Sequence, residues 1–147
     1  MAWHGSKLPW GAKAVLDEIV VPIRSEVDLV TARLRGREVA SKLPFSSSEL
    51  TLVATAISEV TRNILTYAGT GELSLGLVQQ GQKMGVSIVA RDQGPGIADL
   101  FSAMQDGYST SGSLGLGLPG SKRLMDEFSI VSEIGQGTTV AMTKWKI

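Results

Sequence analysis

The sequence predicts an α+β domain, and three observations carry that prediction. A capped helical segment with apolar residues every three or four positions follows an earlier amphipathic one. Two β-runs flank the short Gly81-Gln82 turn, and two more close the chain around Glu133 to Gly137. At 147 residues and 43% hydrophobic content the chain can bury one core, so residues 17–147 are expected to form a single domain.

Taken in order, "MAWHGSKLPWGAKAVL" has no periodicity, and residues 1–16 are expected to be a disordered leader or tag. "DEIVVPI" (Asp17–Ile23) is β-branched, with Pro22 assigning it to a sheet edge. Ser25 to Leu43 predicts a helix burying Val27, Val30, Leu34 and Val39. Ser46 and Glu49 stand at capping-box spacing. The helix they open repeats Leu50, Val53, Ile57, Val60 and Ile64, and Gly69 marks its end. Glu72–Gln80 and Lys83–Asp92 predict a hairpin. Gln93 to Ser113 is a long glycine- and serine-rich stretch with one expected helical turn over 97–104, and loops of that length are commonly functional. A helix over 116–127 and strands Phe128–Glu133 and Thr138–Lys146 complete the chain.

Fourteen basic residues balance fourteen acidic ones, so neither a nucleic-acid surface nor a polybasic membrane patch is expected. There is no cysteine, hence no disulfide or thiol chemistry, and no apolar run has membrane-span length. Without an export signal the expected location is the cytoplasm.

Residues 115–120, "GLGLPG", match the dinucleotide-binding pattern G-x-G-x-x-G. That pattern works only in the turn directly after a strand, with an acid about twenty residues on. "DGYSTSGS" precedes it here and cannot be a strand, and Gly120-Ser121-Lys122 is not the Gly-Lys-Ser/Thr of a Walker A loop. What remains is closely spaced glycines leading into a helix, either a backbone cradle for an anion or an ordinary helix cap. On the capped helix, Glu59 and Asn63 share a face away from the apolar stripe, beside Leu52, Thr55 and Ala56. The amide oxygen suits Mg²⁺ and the carboxylate can take a proton from a nucleophile; a ligand-free surface pair is the plain alternative. "RDQGPG" places Asp92 at a strand exit, where it can accept a hydrogen bond from an exocyclic amine, or simply make a good turn. Gly137-Thr138 lies at the base of the last strand.

In that order, Glu59-x-x-x-Asn63, Asp92-x-Gly94-x-Gly96, Gly115-x-Gly117 and Gly137-Thr138 resemble the four ATP-binding boxes of the gyrase, Hsp90, histidine-kinase and MutL (GHKL) superfamily. The resemblance covers roughly Ser25 to Ile147. It implies a two-layer sandwich of helices on one mixed, mainly antiparallel sheet, with ATP beneath a mobile lid. It also implies that Asn63 holds Mg²⁺, Asp92 binds the adenine amino group, Gly94 and Gly96 shape the adenine pocket, Gly115 and Gly117 face the phosphates, and Thr138 helps hold the base. The only histidine is His4, so autophosphorylation on a histidine of this chain is not expected, and neither is the transducer domain of gyrase, Hsp90 and MutL relatives.

The wording of the boxes is similar to the small bacterial serine/threonine kinases of the anti-sigma-factor type, in particular the stressosome switch kinases. This implies Glu59 as general base, STAS-domain scaffold or antagonist proteins as substrates, and activation of a serine phosphatase in a stress sigma-factor pathway. An anti-sigma kinase and a non-catalytic ATP-binding adaptor are the alternatives. Sigma-binding members often carry an arginine just before the lid glycines, where this chain has Gly112-Ser113-Leu114. The cation for the γ-phosphate stays open among Arg62, Lys122 and Arg123.

Overall fold

Alternation along four β-segments and one dominant apolar helix stripe determine how this chain closes on itself. The computed structural model describes residues 13–97 and 117–146. The described elements run β1 (Lys13–Ile23), α1 (Glu26–Ala40), α2 (Ser47–Tyr67), β2 (Gly71–Gln80), β3 (Lys83–Asp92), α3 (Gly117–Leu124), β4 (Glu127–Glu133) and β5 (Gly137–Lys146). The strands form one sheet in the order β1-β2-β3-β5-β4, and every pairing among them is antiparallel, where a mixed, mainly antiparallel sheet was expected. Three helices on this sheet make the two-layer α+β architecture that the resemblance implied.

In β2, β3 and β5 every second residue faces the helices, as period-two geometry requires. The register aligns Leu75 with Ile88, Ile88 with Met142 and Met142 with Phe128, giving one apolar row across four strands. Val53, Ile57, Val60 and Ile64 of α2 lie over this surface, each no more than 2% exposed. Burying a side chain of this class contributes about 1.5–3 kcal/mol, so these rows fix how α2 sits on the sheet. The helix starts where the sequence placed it: Ser46 Oγ accepts the Glu49 N–H at 3.1 Å and Glu49 Oε1 accepts the Ser46 N–H at 2.8 Å. At its far end the Gly69 N–H donates to the Ile64 carbonyl at 2.9 Å.

Two expectations are corrected. β1 begins at Lys13, four residues inside the segment assigned to a leader, because backbone pairing with β2 reaches back to Gln79 through two register shifts; Pro22 is on the edge strand as predicted. The larger correction concerns α1. Val39 is buried, but Val27, Val30 and Leu34 are 72%, 44% and 56% exposed. The inward face is Leu29, Ala32, Gly36, Val39 and Ala40. Small residues win that face because α1 lies close against α2: a Cβ on Gly36 would collide with Ile57 Cδ1.

Candidate active site

Because the apolar stripe of α2 faces the sheet, Glu59 and Asn63 are turned toward a neighbouring helix. That neighbour is α3, whose Leu118 and Ser121 are buried. Glu59 is consequently only 8% exposed. A carboxylate placed there needs partners. Its Oε2 accepts the backbone N–H of Gly117 at 3.0 Å, the first residue of α3, and its Oε1 lies 3.4 Å from Arg62 Nη1. The bond to Gly117 is charge-assisted and sits at the positive end of a helix dipole. Arg62 is more than a third exposed, so its ion pair contributes little.

Asn63 is half-buried one turn beyond Glu59, and no hydrogen bond satisfies it among the described residues. Nor do the described residues contain a cluster of three His, Cys, Asp or Glu able to cage a metal. An amide oxygen fits Mg²⁺, which takes one or two protein oxygens and fills the remaining positions with water and phosphate oxygens.

Asp92 ends β3 with its side chain on the helix side of the sheet. Its Oδ1 accepts two backbone N–H groups, Gly94 at 2.9 Å and Thr138 at 3.2 Å. The described residues place no hydrogen bond on Oδ2, which remains available to a ligand donor. Burial pushes the carboxyl pKa upward, and the two N–H bonds pull partly against it. Thr138 therefore holds Asp92 through its main chain. Its hydroxyl pairs with Ser132 Oγ at 2.8 Å, and Ser132 Oγ also accepts the Ile97 N–H at 2.7 Å. Ser132 was not anticipated; the available signal was a hydroxyl at an inward position of β4, paired across from Thr138.

Gly94 and Gly96 route the chain leaving Asp92. A Cβ on Gly94 would come within 2.6 Å of the Ala68 Cβ at the end of α2. Gly96 has φ +81° and lies against the Glu133 carbonyl, leaving no room for a side chain. The loop after Asp92 is thus fixed against α2 on one side and the β4–β5 turn on the other. From Glu59 through Asn63 to the C-cap Ala68 the chain rises about nine helical steps, on the order of 13 Å. An elongated ligand is suited to that distance, with an amine donor at Asp92 and its anionic end at Asn63 and α3.

A separate cleft of about 580 Å³ opens beside Asp92 on the opposite face of the sheet, lined by Arg24, Glu72, Arg91 and Thr139 among others. Glu72, Arg91 and Thr139 alternate out of phase with the core residues, so this cleft is not the space between α2 and the sheet. Gly115 and most of the predicted lid, with its helical turn, lie outside the described residues. Lys122 and Arg123 are exposed on α3.

Residues 22–144 match the model of the family described as the histidine kinase-like ATPase domain. The serine/threonine-protein kinase RsbT of Bacillus subtilis is 50% identical over 129 residues, covering 88% of this chain and 97% of that protein. An anti-sigma F factor of a Thermoanaerobacter species is 29% identical over 112 residues, covering 72% of this chain and 77% of the relative. Among solved structures, the RsbU and RsbW domains of a Mycobacterium tuberculosis protein superpose with a TM-score of 0.60 at 18% identity, over 92% of this chain and 34% of that one.

Proposed function

Since the chain belongs to the histidine kinase-like ATPase family, we propose that the Glu59, Asn63 and Gly117 site transfers the γ-phosphoryl group of ATP to a serine or threonine hydroxyl of a protein. The observation that carries this is the Gly117 N–H on the Glu59 carboxylate, with the Asn63 amide one turn away. A base, a metal-fitting oxygen and the start of a helix lie together at one end of an elongated site.

The chemistry follows from those parts. Asp92 Oδ2 accepts the adenine amino group, while Gly94, Thr138 and Ser132 hold the carboxylate and its loop in place. Gly96 would shape the adenine side by letting the loop pack on the β4–β5 turn. Asn63, the phosphate oxygens and water would hold Mg²⁺, which when bound neutralises charge on the phosphates. A bound phosphate competes with Glu59 for the Gly117 N–H. Displaced from Gly117, Glu59 is free to accept the proton of the attacking hydroxyl. The substrate oxygen bonds to γ-phosphorus, the bond from γ-phosphorus to the β,γ-bridging oxygen breaks, and ADP departs with that oxygen. Positioning and electrostatics carry this reaction class, which is why one small domain suffices.

The wording of the boxes, together with the 50% identity to RsbT, supports STAS-domain scaffold proteins as substrates and a serine phosphatase as the protein engaged on release. A cytoplasmic location goes with that reading; none of the described helices is long and apolar enough to cross a membrane. The test is transfer of labelled γ-phosphate from Mg-ATP to a STAS-domain protein encoded nearby. Label on a serine or threonine of that protein is expected. ATP binding without transfer would instead indicate an adaptor, and capture of a sigma subunit the anti-sigma role of the 29% identical relatives.

A further inference from the structure

The three helices cover one face of the sheet, yet the other face is buried as well. On that outer side the register aligns Val78 with Gly85 and Trp145 at one level, and Val89 with Ala141 at another. Between them Gly76, Ser87 and Thr143 form a level of small side chains. Val78, Ser87, Val89, Ala141, Thr143 and Trp145 are each no more than 6% exposed, and the apolar members form a cluster separate from the main core. No helix among the described residues lies on this side. Val20, on the same face of β1 opposite Ser74, is 52% exposed, which is the condition of this face where nothing lies over it.

Two polar atoms indicate what kind of cover the face has. Thr143 Oγ1 and Trp145 Nε1 are both buried here without a hydrogen-bond partner among the described residues. Buried polar groups are normally hydrogen-bonded. An indole N–H needs an acceptor and a hydroxyl can take either role, so the carbonyls and N–H groups of a crossing main chain suit both. The ring of Trp145 lies over Gly85, where a Cβ would come within 2.8 Å of Cε3, and Lys83 Nζ stands 4.6 Å from the ring centroid. The low level of Gly76, Ser87 and Thr143 between taller neighbours lets a backbone approach the sheet.

Two stretches lie outside the description at this end of the choice. Residues 98–116 leave and rejoin the described chain on the helix side, at Ile97 against the main core and at Gly117 beside Glu59. Residues 1–12 join it at Lys13, which pairs with Gln79, the neighbour of Val78. From β1 to β5 is three strand spacings, about 14 Å, and twelve extended residues reach about 40 Å. That segment carries Trp3, Leu8 and Trp10, and the match to the kinase-like ATPase family begins only at residue 22.

We propose that residues 1–12 fold back over the outer face of the sheet as a strap. Its main chain follows the Gly76, Ser87 and Thr143 level and meets the Thr143 hydroxyl and the Trp145 indole N–H. Trp3, Leu8 and Trp10 cover the apolar levels on either side. The strap thereby braces from behind the two strands, β3 and β5, that carry Asp92 and Thr138.

The chain has three tryptophans, so Trp145 can be made the sole reporter in two ways. Trp3→Phe with Trp10→Phe keeps aromatic anchors in the strap; Trp3→Ser with Trp10→Ser removes them. Trp145 should emit at short wavelength and resist acrylamide quenching in the phenylalanine pair. In the serine pair its emission should shift to the red and its quenching rise severalfold, while unfolding stays cooperative because the main core lies on the other face. Slow quenching in both pairs would overturn the proposal by assigning the cover to another segment, and fast quenching in both would show an open face. Quenching in the phenylalanine pair that rises on dilution would assign the cover to a second copy. On the unmodified chain, trypsin should cut after Lys7 at least about tenfold more slowly than in a peptide of residues 1–12, since cleavage follows the undocked population. Equal rates would overturn the proposal whatever the variants do.

Discussion

Replacing Glu59 by Gln tests the assigned base with little disturbance of its surroundings. Glutamine keeps the volume and a carbonyl oxygen that can still accept the Gly117 N–H, now 3.0 Å from the carboxylate. Exchanging a charge-assisted hydrogen bond for a neutral one costs about 1 kcal/mol, with little added for the solvent-screened Arg62 contact. In a domain of this size that is a fall in Tm of about 3–5 °C, which leaves the protein folded. The catalytic effect is far larger. Removing a general base lowers the rate about 10²- to 10⁴-fold, or about 2.7–5.4 kcal/mol on the barrier. Single-turnover transfer of labelled phosphate, with calorimetric titration of ATP alongside, separates the two effects: the rate should collapse while ATP affinity stays within about threefold. Transfer within tenfold of wild type, at normal ATP affinity, would refute Glu59 as the base. Glu59→Ala is less informative, since it also strands the Gly117 N–H in a buried site at a cost of about 1–3 kcal/mol.

Asp92→Asn retains an oxygen for the Gly94 and Thr138 N–H groups but loses the acceptor at Oδ2, so ATP affinity should fall about 10- to 100-fold by calorimetry while the fold is kept. Burial raises the Asp92 pKa, so the folded chain holds that proton more tightly than the unfolded one; apo stability should gain as pH falls through the raised value toward the ordinary 3.8. ATP affinity should move the opposite way over the same acid range, weakening as the carboxylate protonates, and Asp92→Asn should remove this group's contribution to both trends. Asn63→Ala should raise the Mg²⁺ concentration needed for half-maximal transfer about tenfold or more; an unchanged requirement would show that other groups hold the metal. Ser132→Ala leaves the Ile97 N–H without its acceptor, so stability should fall by about 1–2 kcal/mol in chemical denaturation, with faster amide exchange at Ile97.

Where local chemistry decides, the sequence was legible to the residue. The Ser46 and Glu49 capping box starts α2 by bonds between side chains and backbone three residues apart, and β3 has the predicted bounds because the turn and the alternation both lie within it. The site candidates on α2 and at the end of β3 were legible because helical periodicity puts Glu59 and Asn63 on one face, and the strand exit presents Asp92. Their partners were not. Gly117 N–H on Glu59 joins residues 58 positions apart, and Thr138 N–H on Asp92 joins residues 46 apart. Ser132 became part of the site only because β5 lies between β3 and β4, bringing its hydroxyl to Thr138. Helix α1 shows the limit most plainly. Hydrophobicity marked Val27, Val30 and Leu34 as the buried face, whereas close approach to α2 selected Ala32 and Gly36, whose merit is their small size. By itself the sequence determined where most helices and strands lie and which chemical types the candidate residues offer, all of which depend on neighbours within a few residues. The tertiary structure decided which helix face is buried and which backbone groups hold each carboxylate, because those follow from packing between segments far apart in the chain.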